Sequence, residues 1–296
     1  MADAVSRARP GVMTDSFPIL VSTDLLASQL GADDLVILDA SRHLPAAGRD
    51  PDAEFAAAHI PGAQYLSLAT LTDAASPVPA ALPTAEGLAQ RLSDLGVRAD
   101  ARIVLYDDSA IKSSARAWFM LCAHGCAQVA VLDGGLGKWR AEGRPLETGT
   151  ATPSPAAPAT LTDANGVATK ADMLANLASN AEQVLDARAA DRVFGAGMDP
   201  VHGGQNGRIP GSFNLPFGDV LAEDGTYRSP DEIRAAFESA GVDFARPIIT
   251  TCGSGMTASV LLFAARLAGK TDVRLYDGSW QEWEADPDTP KEQGPK

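Results

Sequence analysis

The chain alternates short apolar runs with longer stretches in which apolar residues recur at helical spacing. In the first half, residues 35–40, 102–107 and 129–132 have the pattern of buried strands, and residues 84–95 and 113–124 have the pattern of helices. Strands that alternate with helices predict a mostly parallel sheet with helices on both faces. The predicted fold class is therefore α/β.

The second half of the chain repeats the motifs of the first half in the same order. The strand sequence VILDA at 36–40 returns as VLDAR at 184–188, and HIPGA at 59–63 returns as RIPGS at 208–212. Repeated order of this kind is the mark of a duplicated structural unit. We therefore expect two tandem copies of one α/β domain.

Composition sets the domain boundaries. A segment rich in Pro, Ala, Thr and Ser has the composition of a linker and occupies residues 147–165. The first domain is predicted at 18–146 and the second at 166–284, with tails at 1–17 and 285–296. A chain of 296 residues is long enough for two domains, each with its own core.

Residues 247–262 have the pattern of a buried strand, a loop with two glycines and a helix. Cys252 lies in that loop, at the carboxyl end of the strand, where ligands bind in open α/β sheets. Gly253 and Gly255 allow the sharp turn. Free N–H groups and the positive helix end there favour the thiolate, the nucleophilic form of cysteine. The matching position in the first half is Asp107, so only the second domain is predicted to be catalytic.

Overall charge limits the class of partner. The formal net charge is −14 and the pI is near 4.6, which argues against nucleic acid and anionic membranes. An anionic substrate would need a site that is locally positive. Three cysteines do not form a disulfide framework, no apolar run reaches membrane-spanning length, and no secretory signal is evident, so a cytoplasmic location is predicted. The four histidines show no metal-ligand spacing.

Four motifs carry a resemblance to a known family: HIPGA at 59–63, LDGG at 132–135, RIPGSFNLPF at 208–217 and CGSGMTA at 252–258. Over residues 18–284 the sequence resembles the tandem-domain sulfurtransferases of the rhodanese superfamily. Members that prefer thiosulfate carry two basic residues in the cysteine loop. Members that prefer 3-mercaptopyruvate carry CGSG, an apolar residue and TA, and this loop is similar to theirs.

The resemblance implies a sulfur transfer in two half-reactions. The Cys252 thiolate would attack the sulfur of 3-mercaptopyruvate, a small anionic donor, releasing pyruvate and leaving a Cys252 persulfide. An acceptor thiol such as thioredoxin, or cyanide in an assay, would then take the outer sulfur. The backbone N–H groups from Gly253 through Gly255 and Met256 to Thr257 could hold the persulfide charge. The resemblance implies neither a metal nor an organic cofactor.

The resemblance also assigns substrate-binding residues. Arg192 matches the arginine that binds substrate in the family, as a keto-acid donor requires. The family's second arginine corresponds to Val201 here. Arg208 stands where a histidine is commoner, and it is either the replacement cation or a surface residue.

A proton must reach the departing enolate. The family pattern links the loop serine, here Ser254, to a histidine and an aspartate of the first domain, matched by His59 and Asp50. Such a relay would move a proton near neutral pH. The alternative is that His59 only supports the turn before Pro61.

Three other functions are related to parts of this sequence pattern. A thiosulfate sulfurtransferase has the same chemistry with another donor. It remains an alternative because Val201 and Arg208 depart from the family pattern at the substrate-binding positions. A catalytically silent binding module is disfavoured by the intact loop around Cys252. A cysteine phosphatase would need an arginine in that loop, where this chain has Thr257 and Ala258.

Overall fold

The computed structural model describes residues 17–150 and 152–294, which form two α/β domains. The strands of the first domain are β1 (Leu20–Val21), β2 (Leu35–Asp39), β3 (Gln64–Tyr65), β4 (Arg102–Tyr106) and β5 (Val129–Leu132). Its helices are α1 (Thr23–Gln29), α2 (Pro51–Ala57), α3 (Ala85–Asp94), α4 (Ser114–Ala123) and α5 (Gly135–Ala141), with a short 3₁₀ turn at Pro45–Ala47.

The second domain follows the same plan. Its strands are β6 (Val167–Ala168), β7 (Gln183–Asp186), β8 (Phe213–Asn214), β9 (Ile248–Thr251) and β10 (Val273–Tyr276). Its helices are α6 (Lys170–Ser179), α7 (Ala190–Phe194), α8 (Pro230–Ser239), α9 (Ala258–Leu267) and α10 (Ser279–Ala285), with a 3₁₀ turn at Phe217–Val220. None of the helices described is long and apolar enough to cross a membrane.

Sheet topology confirms the predicted fold class and the repeat. The first sheet has the order β1-β5-β4-β2-β3 and the second the order β6-β10-β9-β7-β8, and every pairing between named strands is parallel. The central strands β4 and β9 are buried along almost their whole length, because helices cover both faces of each sheet.

Side-chain N-caps mark the first residues of several predicted helices. The pattern at 84–95 forms α3, whose first turn is capped by the Thr84 hydroxyl accepting from the Gly87 amide at 3.1 Å. A hydroxyl acceptor satisfies one of the N–H groups that a helix start leaves without a partner. Thr169 and Ser229 cap α6 and α8 in the same way, each with a carboxylate three residues on.

The two domains share one apolar core. Helix α4 of the first domain packs on α9 of the second, and the Trp118 ring meets the Phe263 ring edge-on at 4.8 Å between centroids. Both rings are more than nine-tenths buried. Because the apolar cluster runs through both domains without a break, their relative orientation is set by side-chain packing as well as by the linker.

A buried ion pair also crosses the domain interface. The Arg116 guanidinium on α4 lies 2.6 Å from the Asp277 carboxylate, which follows β10. The second oxygen of Asp277 accepts from the Leu82 amide of the first domain at 2.8 Å. Arg116 also points at the Gly255 carbonyl, at 3.5 Å, and donates to the Ala80 carbonyl at 3.2 Å. The interface therefore ends at the loop that carries Cys252.

The segments outside the two sheets are tied to the domains. In the linker, Ala156 exchanges hydrogen bonds with Ser93 of α3. Beyond α10, the Trp283 indole donates to the Pro290 carbonyl, and Arg208 and Glu292 form a backbone bridge. Residues 287–294, predicted as part of a tail, thus pack on the second domain. Of the predicted tail 1–17, residues 1–16 lie outside the described residues.

The repeated strand end differs between the domains. In the second domain Asp186 is paired with Arg188 at 2.7 Å. The equivalent Asp39 is followed by Ser41 instead, an uncharged residue whose backbone amide donates to the carboxylate at 2.8 Å. Burial, partly offset by Ser41, raises the pKa of Asp39 to about 6. The first domain therefore keeps a costly buried carboxylate at neutral pH.

We expect Arg116→Met to lower the free energy of unfolding by about 3–5 kcal/mol, because it leaves the Asp277 charge buried without its partner. Chemical denaturation monitored by tryptophan fluorescence measures this. The double variant Arg116→Met/Asp277→Leu should recover much of the loss, because both charges are then gone. Additive losses in the double variant would contradict a coupled pair.

We expect Asp39→Asn to stabilise the protein at neutral pH and not at low pH. The folded pKa of Asp39 lies above the ordinary 3.8, so its contribution to stability is fully present below about pH 4 and is lost as pH rises through about 6. The variant cannot ionise, so its gain should reach up to about 3 kcal/mol above pH 7. Denaturation at pH 4.5 and pH 7.5 tests this. An equal difference at both pH values would show that titration is not the cause.

Candidate active site

A cavity of 630 Å³ lies between the domains and is lined by both. Arg42 and His43 follow β2 of the first sheet, Arg188 follows β7 of the second, and Cys252 follows β9. All four residues therefore lie beyond the carboxyl ends of parallel strands, where α/β folds place their sites. The sequence placed Cys252 at this edge, and the structure shows that the first domain forms the opposite wall.

The charge of the cavity is opposite to that of the whole chain. Among the described residues, the titratable side chains that line the cavity are four arginines, two histidines, one tyrosine and one cysteine. They are Arg42, Arg49, Arg188, Arg192, His43, His202, Tyr65 and Cys252. No aspartate or glutamate of the described residues lines it. In a protein of net charge −14, this is a locally positive site suited to an anion.

Most residues of the loop after β9, residues 252–257, line the cavity. Cys252 is 2% exposed, and it lines the cavity together with Gly253, Ser254, Met256 and Thr257. Gly255 has a positive φ of 76° and lies behind the loop, where an added Cβ would approach Arg116 Nη1 to 2.8 Å. The glycine at 255 is therefore required by both the turn and the domain interface.

The first turn of α10 holds this loop by four hydrogen bonds. The amides of Trp280 and Gln281 donate to the carbonyls of Cys252 and Gly253, at 2.9 and 3.0 Å. The Ser279 hydroxyl accepts from the amides of Cys252 and Gly255, at 3.2 and 3.1 Å, and donates to the carbonyl at the end of β10. Since a helix start leaves its first amides free, α10 uses them to fix the backbone on both sides of Cys252.

These bonds decide which loop amides remain available. Within the described residues, no protein group accepts from the amides of Gly253, Ser254, Met256 or Thr257. The Gly255 amide is different, because it already donates to Ser279. The run of free amides expected from Gly253 to Thr257 is thus interrupted at Gly255.

Arg192 and His202 lie against the loop. An added Cβ on Gly253 would come within 2.1 Å of His202 Nε2 and 3.3 Å of Arg192 Nη2. Asp199 accepts two hydrogen bonds from the Arg192 guanidinium, at 3.1 and 2.7 Å. Burial lowers the pKa of His202, and the neighbouring Arg192 charge lowers it further, which favours a neutral imidazole at pH 7.

Arg188 forms the base of this wall. Its side chain is fully buried, lies 2.7 Å from Asp186, and sits over the Trp280 ring at 4.9 Å. Burial acts against its charge, but the carboxylates of Asp186 and Asp199 and the charge of a Cys252 thiolate together raise the pKa of Arg188. Arg188 therefore remains charged next to the sulfur.

The predicted relay from Ser254 through His59 to Asp50 is not assembled, which corrects the sequence-based assignment. His59 is 3% exposed, stacks on the Phe55 ring at 4.1 Å, and contacts the Phe55 carbonyl through Nδ1 at 2.8 Å, away from the cavity. Asp50 caps α2 by accepting from the amides of Asp52 and Ala53. Both residues therefore stabilise the approach to the HIPGA turn, and only Ser254 of the three lines the cavity.

Arg208 is also placed outside the cavity. It is fully buried, lies 2.5 Å from the Glu292 carboxylate, donates to the Gly294 carbonyl, and covers the Phe194 ring at 4.8 Å. The explanation is that the turn at 208–212 faces the returning C-terminal segment. Neither sequence alternative, a substrate cation or a surface residue, describes this position.

Sequence reasoning missed the cations and the histidines that do line the cavity: Arg42, His43, Arg49, Arg188 and His202. Two signals were present. Arg42 and Arg188 each follow the repeated LDA motif at a strand end, and His202 is next to Val201, where a cation was expected. Their convergence depends on how the two sheets face each other.

Comparison with known proteins identifies the domain. The family described as "Rhodanese-like domain" matches residues 22–142 and again residues 169–286. Human "3-mercaptopyruvate sulfurtransferase" is 42% identical over 270 residues, which cover 89% of this chain and 91% of the human protein. Bovine "Thiosulfate sulfurtransferase" is 38% identical over 284 residues, covering 93% of this chain and 95% of the bovine protein.

A solved structure agrees with these relatives. SseA from Escherichia coli, described with the rhodanese fold and the mechanism of 3-mercaptopyruvate sulfotransferases, superimposes with a TM-score of 0.81 at 34% identity. The match covers 88% of this chain and 98% of SseA.

We expect Ser279→Ala to loosen the loop around Cys252. The change removes the acceptor of two amide hydrogen bonds and should lower the free energy of unfolding by about 1–3 kcal/mol. It should also raise the rate at which iodoacetamide alkylates Cys252, measured by mass spectrometry of the intact protein.

Ser93→Ala is the matched control, because Ser93 is a buried serine whose hydroxyl donates to the distant Ala156 carbonyl. It should lower stability and leave alkylation of Cys252 unchanged. Equal alkylation rates in the two variants would mean that Ser279 does not hold the loop.

Proposed function

The chain belongs to the rhodanese-like family, with two copies of the domain, and we propose that it is a sulfurtransferase that takes sulfur from 3-mercaptopyruvate through a Cys252 persulfide. Sulfurtransferase activity is the common property in the names of its human and bovine relatives. The donor, the persulfide and the acceptor are the parts added by the proposal.

One observation carries the proposal: among the residues that the structure describes, the cavity is lined by one cysteine, four arginines and no carboxylate. A nucleophilic sulfur is the group that sulfur transfer needs. An arginine of this lining whose charge is not already neutralised by a protein carboxylate suits a carboxylate-bearing donor. The first domain, with Asp107 in place of the cysteine, has no equivalent nucleophile. The Asp107 carboxylate accepts from the amides of Ser109 and Ser114 and so holds its own loop.

The first half-reaction forms a sulfur–sulfur bond. The Cys252 thiolate attacks the donor sulfur, the carbon–sulfur bond of the donor breaks, and its electron pair passes to the carbon skeleton as pyruvate enolate. The enolate takes up the proton that the donor thiol brought, which leaves the outer sulfur of the persulfide as an anion. The Ser254 hydroxyl and the neutral His202 imidazole both line the cavity and can pass that proton on. His59 and Asp50 have no part in this step.

The persulfide that remains carries a negative outer sulfur. The free amides of Gly253, Ser254, Met256 and Thr257 can donate to it, while the Gly255 amide stays on Ser279. In the second half-reaction an acceptor thiolate attacks the outer sulfur, a new sulfur–sulfur bond forms on the acceptor, and the Cys252 thiolate returns. A small thiol or thioredoxin is the proposed acceptor.

Thiosulfate is the second candidate donor. The cations of the cavity would also attract a dianion, and the bovine relative is named for thiosulfate. The loop itself favours mercaptopyruvate, because residues 253–258 include no arginine or lysine.

The three cysteines are free thiols, which supports a reducing compartment such as the cytoplasm.

We expect the wild type to have a higher kcat/KM with 3-mercaptopyruvate than with thiosulfate, with cyanide as acceptor. Cys252→Ser should lose about 10³-fold or more with either donor, because an alcohol is a far weaker nucleophile than a thiolate. Donor treatment without acceptor should add the mass of one sulfur atom to the wild type and none to Cys252→Ser.

Cys126→Ser is the matched control, because burial raises the pKa of the Cys126 thiol to about 11 and keeps it protonated. Its activity should equal that of the wild type. A preference for thiosulfate would replace the proposed donor, and activity surviving in Cys252→Ser would refute the persulfide at that residue.

A further inference from the structure

The cavity arginines differ in how their charges are balanced. Arg49 lies 2.8 Å from Glu54 and 2.9 Å from Asp108, Arg188 is paired with Asp186, and Arg192 is paired with Asp199. Arg42 has no carboxylate partner among the described residues, and its guanidinium reaches only the Leu68 carbonyl, at 3.5 Å. It is therefore the cavity arginine with an uncompensated charge.

The surroundings of Arg42 disfavour its positive charge unless an anion lies nearby. Burial lowers the pKa of Arg42, and the positive charge of Arg116 lowers it further. A half-buried guanidinium beside a second guanidinium is costly unless a negative group approaches it. The bound substrate anion would supply that group from inside the cavity.

Arg42 is also held in place from its backbone. Its amide donates to the Ser113 hydroxyl at 3.0 Å, and its carbonyl accepts from the Ser109 hydroxyl. Both serines belong to the loop between β4 and α4. A side chain that starts from a fixed backbone loses less entropy when it binds, which makes it a better anion ligand.

Arg42 faces the reactive loop across the cavity. Its charge contributes to lowering the pKa of His202, after burial and the charges of Arg192 and Arg188. His202 in turn packs against Gly253, next to Cys252. Arg42 and the loop are thus opposite walls of one 630 Å³ cavity.

We infer that Arg42 of the first domain binds the carboxylate of the sulfur donor. The inference rests on the proposed function for the identity of the donor. It makes the first domain a contributor of substrate-binding charge, on the wall of the cavity opposite Cys252.

The test compares Arg42→Gln with Arg49→Gln, an arginine of the same cavity whose charge is already balanced. We expect Arg42→Gln to raise KM for 3-mercaptopyruvate about 10- to 100-fold, the loss of a charge-assisted hydrogen-bonded pair, with kcat within about 3-fold. Arg49→Gln should change KM by less than about 3-fold. Arg42→Lys should fall between, since it keeps the charge and loses the two-pronged geometry.

Two readouts separate binding from a folding defect. The melting temperature of Arg42→Gln should not fall below that of the wild type, because the backbone bonds to Ser109 and Ser113 remain and the change removes an unbalanced charge. Discharge of a preformed persulfide to dithiothreitol, a neutral acceptor, should also be unchanged. A KM that does not rise in Arg42→Gln, or that rises equally in Arg49→Gln, overturns the assignment.

Direct binding decides the question even if the proposed donor fails. Calorimetry with pyruvate, the product anion, compares Cys252→Ala with Cys252→Ala/Arg42→Gln, and the second should bind at least about 10-fold more weakly. If the wild type does not turn over mercaptopyruvate, the proposed function falls, while weaker pyruvate binding without Arg42 still supports this residue. In an inactive enzyme, equal or undetectable pyruvate binding in both variants overturns it.

Discussion

The shape of the loop around Cys252 depends on the first turn of α10. Two amides of the helix donate to the carbonyls of Cys252 and Gly253. The Ser279 hydroxyl accepts from the amides of Cys252 and Gly255. A buried loop of glycines and small residues has little side-chain packing to hold it, so these hydrogen bonds define its conformation. The remaining loop amides are left to face the cavity, which is the condition for stabilising charge on a bound sulfur.

The domain interface acts on the same loop from the other side. Arg116 of the first domain pairs with Asp277 and approaches the Gly255 carbonyl, and α4 packs on α9 through Trp118 and Phe263. Buried charges need such partners, so the two domains are fixed together next to the loop that carries Cys252. The first domain thereby has a structural role at the site although Asp107 replaces its cysteine.

The two domains also differ in how the buried aspartate at the end of the strand and the nearby arginine are balanced in charge. In the second domain Arg188 balances Asp186 and adds positive charge beside Cys252. The first domain has Ser41 at the equivalent position. Its cation comes one residue later, at Arg42, which no carboxylate among the described residues balances. A local field of this kind lets a protein of net charge −14 accept an anionic donor.

The sequence by itself determined the α/β class, the duplication and the position of Cys252, because periodicity and strand-loop-helix patterns are local properties of the chain. It also gave Arg192 as a candidate substrate-binding residue, and Arg192 lines the cavity together with Arg188, four residues earlier in the chain. Only the tertiary structure decided which distant residues meet Cys252. His59 and Arg208 belong to turns that face away from the cavity, whereas Arg42 and His202 reach it from different domains. Convergence of this kind depends on how two sheets are oriented, and that orientation is set by long-range packing of α4 on α9, which no local pattern records.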